Sequence, residues 1–355
     1  MSSPVRYGII GTGMMGLEHI MNINIIPDAE VTAVADPHPR SLEWATLAAK
    51  HDLETYSDYR QMLEKAPIDA VIIATPNFTH ASVLRDVFQT DKHILCEKPL
   101  CTTFDDCRWV VEAAERHPAL FWVGMEYRYM PPVTRFVAEV HGGAAGKVRM
   151  LSIREHRIPF LNKVGDWNRF NCNTGGTLVE KSCHHFDLMR HAVQGEPVRV
   201  FASGGMDVNH LDEVYDGETP DILDNAFVTV EFDNGTRALL DLCMFAEASQ
   251  HSQELAATGD LGKVECLIPD GVVVIGRRKP TSVETVPVSV PEAALKAGSH
   301  HGASYFQHLA FETALREGKP AAVSARDGLM AVAMGLAAQR SIEEGRPVMM
   351  SELGL

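Results

Sequence analysis

Apolar residues follow two rhythms along the chain, and the rhythm changes near residue 126. Residues 5–10, 31–35, 69–74, 92–96 and 121–125 are short, largely apolar runs, with helical patterns such as 41–51 and 57–65 between them. Runs of that kind read as strands buried on both faces, and strands alternating with helices form a parallel sheet. Beyond the change, 147–157, 198–204, 226–233, 237–246, 254–259, 264–268 and 272–275 are strand candidates, and Asp233-Asn234-Gly235 marks a hairpin turn. Helices are predicted at 175–193, 303–317 and 325–344. The pattern therefore predicts an α/β domain at 1–125, a doubly wound parallel sheet. An α+β domain with a mostly antiparallel, open sheet follows at 126–355. A chain of 355 residues also exceeds the roughly 250–300 at which one core stops growing.

The first apolar run leads into Gly11-Thr12-Gly13-Met14-Met15-Gly16, after which Leu17, Ile20, Met21 and Ile23 recur at helical spacing. Strand, glycine-rich turn and helix together make the Rossmann fingerprint of a dinucleotide site. In it Gly11 permits the tight turn, Gly13 lets the backbone approach a pyrophosphate, and Gly16 lets helix and sheet pack closely. The N–H groups of Thr12, Met14 and Met15 lie in the same turn, at the positive end of the helix. The second run ends in Asp36, 20 residues after Gly16, where a carboxylate meets the adenosine ribose. A carboxylate there accepts from a free 2′-hydroxyl and repels a 2′-phosphate, so NAD is the cofactor expected, although Arg40 would soften that repulsion. The polar strand ends Thr75-Pro76-Asn77 with His80, and Glu97-Lys98-Pro99, belong to the same crevice, since ligands of such sheets sit beyond the carboxyl ends of the strands. Two readings of His80 stay open: it faces the cofactor, or it caps its helix.

Composition narrows the partners. A net charge of −15 argues against nucleic-acid or anionic-membrane binding. No apolar run approaches the ~18–20 residues of a membrane span. The seven cysteines form no C-x-x-C pair; reduced thiols fit a cytoplasmic location, and no metal site is expected.

Taken together, these pieces resemble the glucose-fructose oxidoreductase / inositol dehydrogenase / MocA-like (Gfo/Idh/MocA) family. The matching residues are Gly11 to Gly16, Asp36, Thr75-Pro76-Asn77 with His80, Glu97-Lys98-Pro99, Tyr127-Arg128-Tyr129 with Pro131, and the stretch from Gly175 to Asp187. They span almost the whole chain. The resemblance implies oxidation or reduction of a secondary hydroxyl of a sugar or cyclitol with NAD(P), and a homo-oligomer, dimer or tetramer. It places Lys98 beside the nicotinamide and the reacting hydroxyl. It also maps a carboxylate–histidine–aspartate motif onto Glu180, His184 and Asp187. Two departures bear on substrate contacts: Glu180 replaces the usual aspartate, and Lys181 and Ser182 stand where a branched apolar residue and a glycine are common.

The chemistry agrees. A hydroxyl that loses hydride must also lose its proton, and a positioned acid–base group speeds such a step by about 10²–10⁴-fold. His184 is a candidate because its unperturbed pKa lies near neutrality. On a helix Glu180 and His184 share one face, and His185 points away and reads as structural. Lys98 is the other candidate, as donor to the reacting oxygen or as the base itself.

Residues 147–181 carry seven basic side chains, Arg154, Arg157, Arg169 and Lys181 among them, against three acids. With Tyr127, Arg128 and Trp167 they suit a sugar, and an anionic sugar is the sharper expectation; ordinary salt bridges are the plainer one. The acidic stretch 207–224 reads as a solvated loop or lid. Three functions are carried forward: an NAD-dependent oxidoreductase acting on a sugar, sugar acid or cyclitol; an NAD-dependent glycosidase, sulfoquinovosidase-like; and a non-catalytic NAD/sugar sensor.

Overall fold

A computed structural model of the chain describes residues 3–298 and 300–355. It divides into two compact units, one of residues 3–129 with 290–329 and the other of 130–289 with 330–355. The chain thus enters the first unit twice, which a single boundary at 125/126 does not include.

The first unit is built on six parallel strands: β1 (Val5–Ile10), β2 (Ala29–Ala35), β3 (Glu54–Tyr56), β4 (Ala70–Ile73), β5 (His93–Glu97) and β6 (Phe121–Gly124). Their order is β3-β2-β1-β4-β5-β6, a doubly wound sheet whose direction of winding switches at β1. Every residue of β4 and β6 is buried, as expected of strands covered on both faces. The helix Phe104–Arg116 starts on Thr103, whose hydroxyl accepts the Asp106 N–H at 3.2 Å, with Asp105 and Asp106 in the first turn to complement its dipole. The helix Ala303–Glu317 returns to this unit, where Phe311 meets Trp122 edge to face at 5.9 Å.

The second unit carries β7 (Val148–His156), β8 (Pro197–Gly205), β9 (Asn225–Phe232), β10 (Arg237–Cys243), β11 (Gln253–Gly259), β12 (Gly262–Ile268), β13 (Val272–Arg278), β14 (Thr281–Pro287) and β15 (Val348–Met349). They form one sheet in the order β14-β13-β12-β11-β7-β10-β9-β8-β15, antiparallel except for β7 beside β10. Burial alternates along β9 and β12, the mark of a sheet with one covered face. The helices Pro131–His141 and Cys183–Val193 pack on that sheet through β12, β13 and β7. A one-residue slip in such a strand would turn its whole apolar set to solvent, so the alternation fixes the register.

One predicted helix is two. Residues 175–193 fold as Thr177–Glu180 and Cys183–Val193. At the join the Ser182 N–H reaches back five residues to the Thr177 carbonyl, at 3.3 Å, a local widening of the kind found at many functional sites. Gly335 lies against the Leu178 carbonyl, so close that a Cβ there would stand 2.5 Å from the oxygen.

Candidate functional site

In the first unit the glycine turn has the form the fingerprint requires. Gly11 adopts φ +90°, and a Cβ there would stand 2.6 Å from the Ala74 carbonyl oxygen. A Cβ on Gly16 would lie 2.1 Å from the Gly11 oxygen, so helix and turn meet only because both are glycine. Gly13 has no heavy atom within 4 Å of its missing Cβ. It begins the helix Met14–Ile23, whose first turn carries no acid and no side-chain cap, and Met14 is half exposed. The Asp36 carboxylate closes the site. Its Oδ2 accepts the Thr12 N–H at 2.8 Å and its Oδ1 the His38 N–H at 2.8 Å, which leaves lone pairs for ribose hydroxyls. The Thr12 hydroxyl is buried with no hydrogen-bond partner among the described residues. Open space over Gly13, uncapped N–H groups and a half-engaged carboxylate fit a dinucleotide.

The neighbouring strand ends support this turn. Thr75 and Pro76 are half-buried and Asn77 is buried. His80 is fully buried, with Nδ1 2.9 Å from the Pro99 carbonyl and Nε2 3.1 Å from the Thr75 carbonyl. Its ring therefore ties two loops together, and burial lowers its pKa and keeps it neutral. Glu97, also buried, meets His19 Nε2 at 3.0 Å, and the other ring nitrogen of His19 is 2.9 Å from His308. Burial alone would raise the Glu97 pKa, but His19 and Lys98 outweigh it and the net shift is downward. Lys98 follows directly, half-exposed at the end of β5. Tyr127 is buried, and Arg128 is held by the Ala322 carbonyl at 2.9 Å and by Asp327 at 3.6 Å. An open cavity of about 620 Å³ in this unit lies at the amino ends of β5 and β6, around His93 and Phe121. That is the end of the strands away from Gly11 and Lys98.

In the second unit Gly175 and Gly176, both left-handed at φ +81° and +88°, turn the chain into Thr177–Glu180. Glu180, His184 and Asp187 are buried, at 6%, 2% and 2% exposure. Lys181 is buried as well and meets an acid: its Nζ lies 2.8 Å from Glu155 Oε1. His185 Nε2 meets Glu155 Oε2 at 2.6 Å, and Arg157 Nε stands 3.8 Å from Oε1. Burial would raise the Glu155 pKa, but the charges of Lys181, His185 and Arg157 outweigh it and hold it well below the usual carboxylate range.

The other basic residues are also paired. Arg154 bonds to Glu254, its neighbour across β7 and β11, and His156 lies 3.0 Å from Asp241 on β10. Arg169, 1% exposed, donates from Nε to Glu213 at 2.8 Å and from Nη2 to Asn162 at 2.9 Å. Its Nη1 has no partner among the described residues. Glu213 also takes the Tyr215 hydroxyl and lies 2.8 Å from His210, contacts that offset burial and lower its pKa to about 2. The acidic stretch is thus partly pinned down, with Asp224 accepting the N–H groups of Asp207, Val208 and Asn209. Trp167, half-buried, accepts from Asn173 through its carbonyl.

Sequence reasoning missed Glu18, Glu126, His300 and Glu155. None carries a motif, and each matters through partners distant along the chain. Among the described residues no group of three or more His, Cys, Asp or Glu is placed to hold a metal ion. No helix among them is long and apolar enough to cross a membrane.

The turn, the carboxylate and the sheet define an NAD-binding oxidoreductase. Residues 5–125 match the profile described as "Oxidoreductase family, NAD-binding Rossmann fold", and residues 138–350 that of "Oxidoreductase family, C-terminal alpha/beta domain". The chain belongs to the Gfo/Idh/MocA oxidoreductase family. It is 28% identical to the myo-inositol 2-dehydrogenase of Thermotoga maritima, over 98% of this chain and 99% of that one. It is 26% identical to a 2,7-anhydro-N-acetylneuraminate hydratase of Mediterraneibacter gnavus, over 67% of this chain and 61% of that one. The crystal structure of a levoglucosan dehydrogenase in complex with NADH shares the fold, with TM-score 0.86 at 19% identity, covering 98% of this chain and 99% of that one.

The cofactor half permits a test without any sugar. Asp36→Ala removes the ribose acceptor and two backbone hydrogen bonds of the turn. Hydrogen bonds to charged groups are worth about 1.5–3 kcal/mol each, so NAD affinity should fall about 10–100-fold by titration calorimetry. An unchanged affinity would show that the carboxylate has no part in binding.

Proposed function

We propose that the chain is an NAD-dependent enzyme that oxidises a secondary hydroxyl of a sugar or cyclitol, with Lys98 and His184 exchanging the hydroxyl proton. The observation that carries this is Lys98 at the end of β5, on the same sheet edge as the Gly11–Gly16 turn. Bound NAD supplies the hydride acceptor. Gly11, Thr12, Gly13, Met14 and Met15 present backbone to its phosphates, Asp36 takes the ribose, and Thr75, Pro76 and Asn77 line the approach. His80 and Glu97 act beneath these loops, holding them. Glu180 orients His184 or takes a sugar hydroxyl. Arg169 Nη1, buried and unpartnered among the described residues, is a donor for a neutral hydroxyl. The basic segment favours an anionic sugar less, because Arg154, Arg157, Arg169 and Lys181 each have a carboxylate close by.

A second reading is favoured by the likeness to an anhydro-sugar hydratase. On it a ring hydroxyl is oxidised transiently, the adjacent C–H loses its proton, the aglycone leaves, water adds, and the carbonyl is reduced with no net change in NAD. A cytoplasmic homo-oligomer fits both readings; Met150, Phe201 and Phe227 stand exposed on strands of the second sheet.

One assay tests the proposal. The protein is incubated with NAD and a panel of myo-inositol, levoglucosan, hexoses, hexuronic acids, and neutral and sulfonated aryl glycosides. Net NADH from a free sugar is the expected result. Aglycone release without net NADH would establish the glycosidase, and neither, with NAD bound, would leave a sensor.

A further inference from the structure

Three carboxyl groups lie behind the end of β5, and only one of them is in a motif. Glu18 is on the helix Met14–Ile23, Glu97 ends β5, and Glu126 opens the short helix Glu126–Tyr129 after β6. They are 6%, 3% and 1% exposed. β5 and β6 are adjacent parallel strands with Glu97 opposite Gly124. The chain therefore leaves the sheet side by side as Lys98 and as Met125-Glu126.

The three acids differ in what surrounds them. Glu97 is held by His19 and accepts the Lys98 N–H at 3.2 Å. Glu18 accepts the Ser304 hydroxyl at 2.7 Å and lies 2.8 Å from His300 Nδ1. Glu126 faces the other nitrogen of the same imidazole, with Oε1 4.0 Å from His300 Nε2. The helix Ala303–Glu317 packs against Glu126–Tyr129 and brings Ser304, Gln307 and His308, the last held neutral by burial and by His19. Burial, then Glu97, then Glu18 favour the protonated form of Glu126, while His300 and Lys98 oppose them; the balance raises its pKa to about 7. Glu97, shifted downward, cannot take a proton near neutrality. Glu126 can both take one and release it, the condition for a relay.

We propose that Glu126 is the proton-relay partner of Lys98, passing the substrate proton from the lysine amine to His300 and so to solvent. The inference rests on the role proposed above for Lys98. The substrate O–H bond breaks as an N–H bond forms on the neutral amine. The resulting ammonium gives a proton to the Glu126 carboxylate, and the neutral acid gives it to the His300 imidazole, whose side chain is 27% exposed. The C–H electron pair leaves with the hydride, so the relay carries protons only. Glu126 does not touch substrate; it is a positioning residue that sets the protonation of Lys98.

The test needs neither substrate nor NAD, so its failure is distinct from a failure of the sugar panel. Lysines are reductively methylated with ¹³C-formaldehyde, which preserves their charge, and the Lys98 resonance is assigned by its absence in K98R. In the wild-type protein its titration should show a second inflection near pH 7. Glu126→Gln should remove that inflection and lower the Lys98 midpoint by about one unit or more, the effect of losing an opposite charge close by. Glu126→Asp should retain the inflection, and the other lysines should not move. A wild-type curve with no inflection near pH 7, or a Lys98 curve unchanged in E126Q, would overturn the proposal.

Discussion

Lys98→Met is expected to lower turnover about 10²–10⁴-fold on whichever sugar gives net NADH, with NAD affinity almost unchanged. The loss should fall on kcat, because the amine acts on a charge that develops only as the hydroxyl is deprotonated. NAD binding should survive because the Gly11–Gly16 turn and its clasp on Asp36 do not involve the side chain of Lys98. Lys98→Arg then separates two roles. An arginine stays charged at every working pH and cannot accept a proton. If Lys98 is the base, K98R should be as slow as K98M. If it only donates to a developing alkoxide, K98R should keep much of the rate. Steady-state kinetics at saturating NAD, with calorimetry for the cofactor, reads both outcomes. K98M within about threefold of wild type would exclude Lys98 from the chemistry.

What the sequence shows of this molecule is whatever lies close together along the chain. β1, β2, β4 and β5 are legible because a strand buried on both faces must be apolar throughout, and β4 is buried at every position. The helices Ala303–Glu317 and Ala325–Glu344 are legible because their apolar positions recur over four turns or more. The turn and Asp36 are legible because the fingerprint is local. β14 is hidden because nearly all of Thr281–Pro287 is exposed, so no burial pattern marks it. The break at Lys181-Ser182 is hidden because both residues keep right-handed backbone angles, and its cause lies at Gly335, far along the chain. The cluster behind Lys98 is hidden for the same reason: Glu18 meets Ser304 across 286 positions. The basic excess at 147–181 was readable as charge but not as pairing, since Glu254, Asp241 and Glu213 come from other strands and from the acidic loop.

That pairing supplies the other large effect, on stability. Glu155→Ala should destabilise the protein by about 3–5 kcal/mol, the usual cost of leaving a buried cation without its acid. Lys181 is the cation concerned, with its side chain 7% exposed. Glu155→Leu combined with Lys181→Met should recover much of the loss, because an apolar pair of similar size often replaces a buried ion pair without penalty. The sign with pH follows from the direction of the Glu155 shift. A carboxylate whose folded pKa lies below its unfolded value contributes stability that is fully present above about pH 4.3 and is lost as pH falls. The gap between wild type and E155A should therefore narrow in acid, as read from urea midpoints between pH 4 and pH 8. A gap that stayed constant or widened would mean that Glu155 acts through packing rather than charge. The same pair tests the anionic-sugar idea: a lysine held for a substrate anion would give K181M a raised KM and ordinary stability. A lysine held by Glu155 gives the reverse, and the 2.8 Å contact between them makes the reverse the expected result.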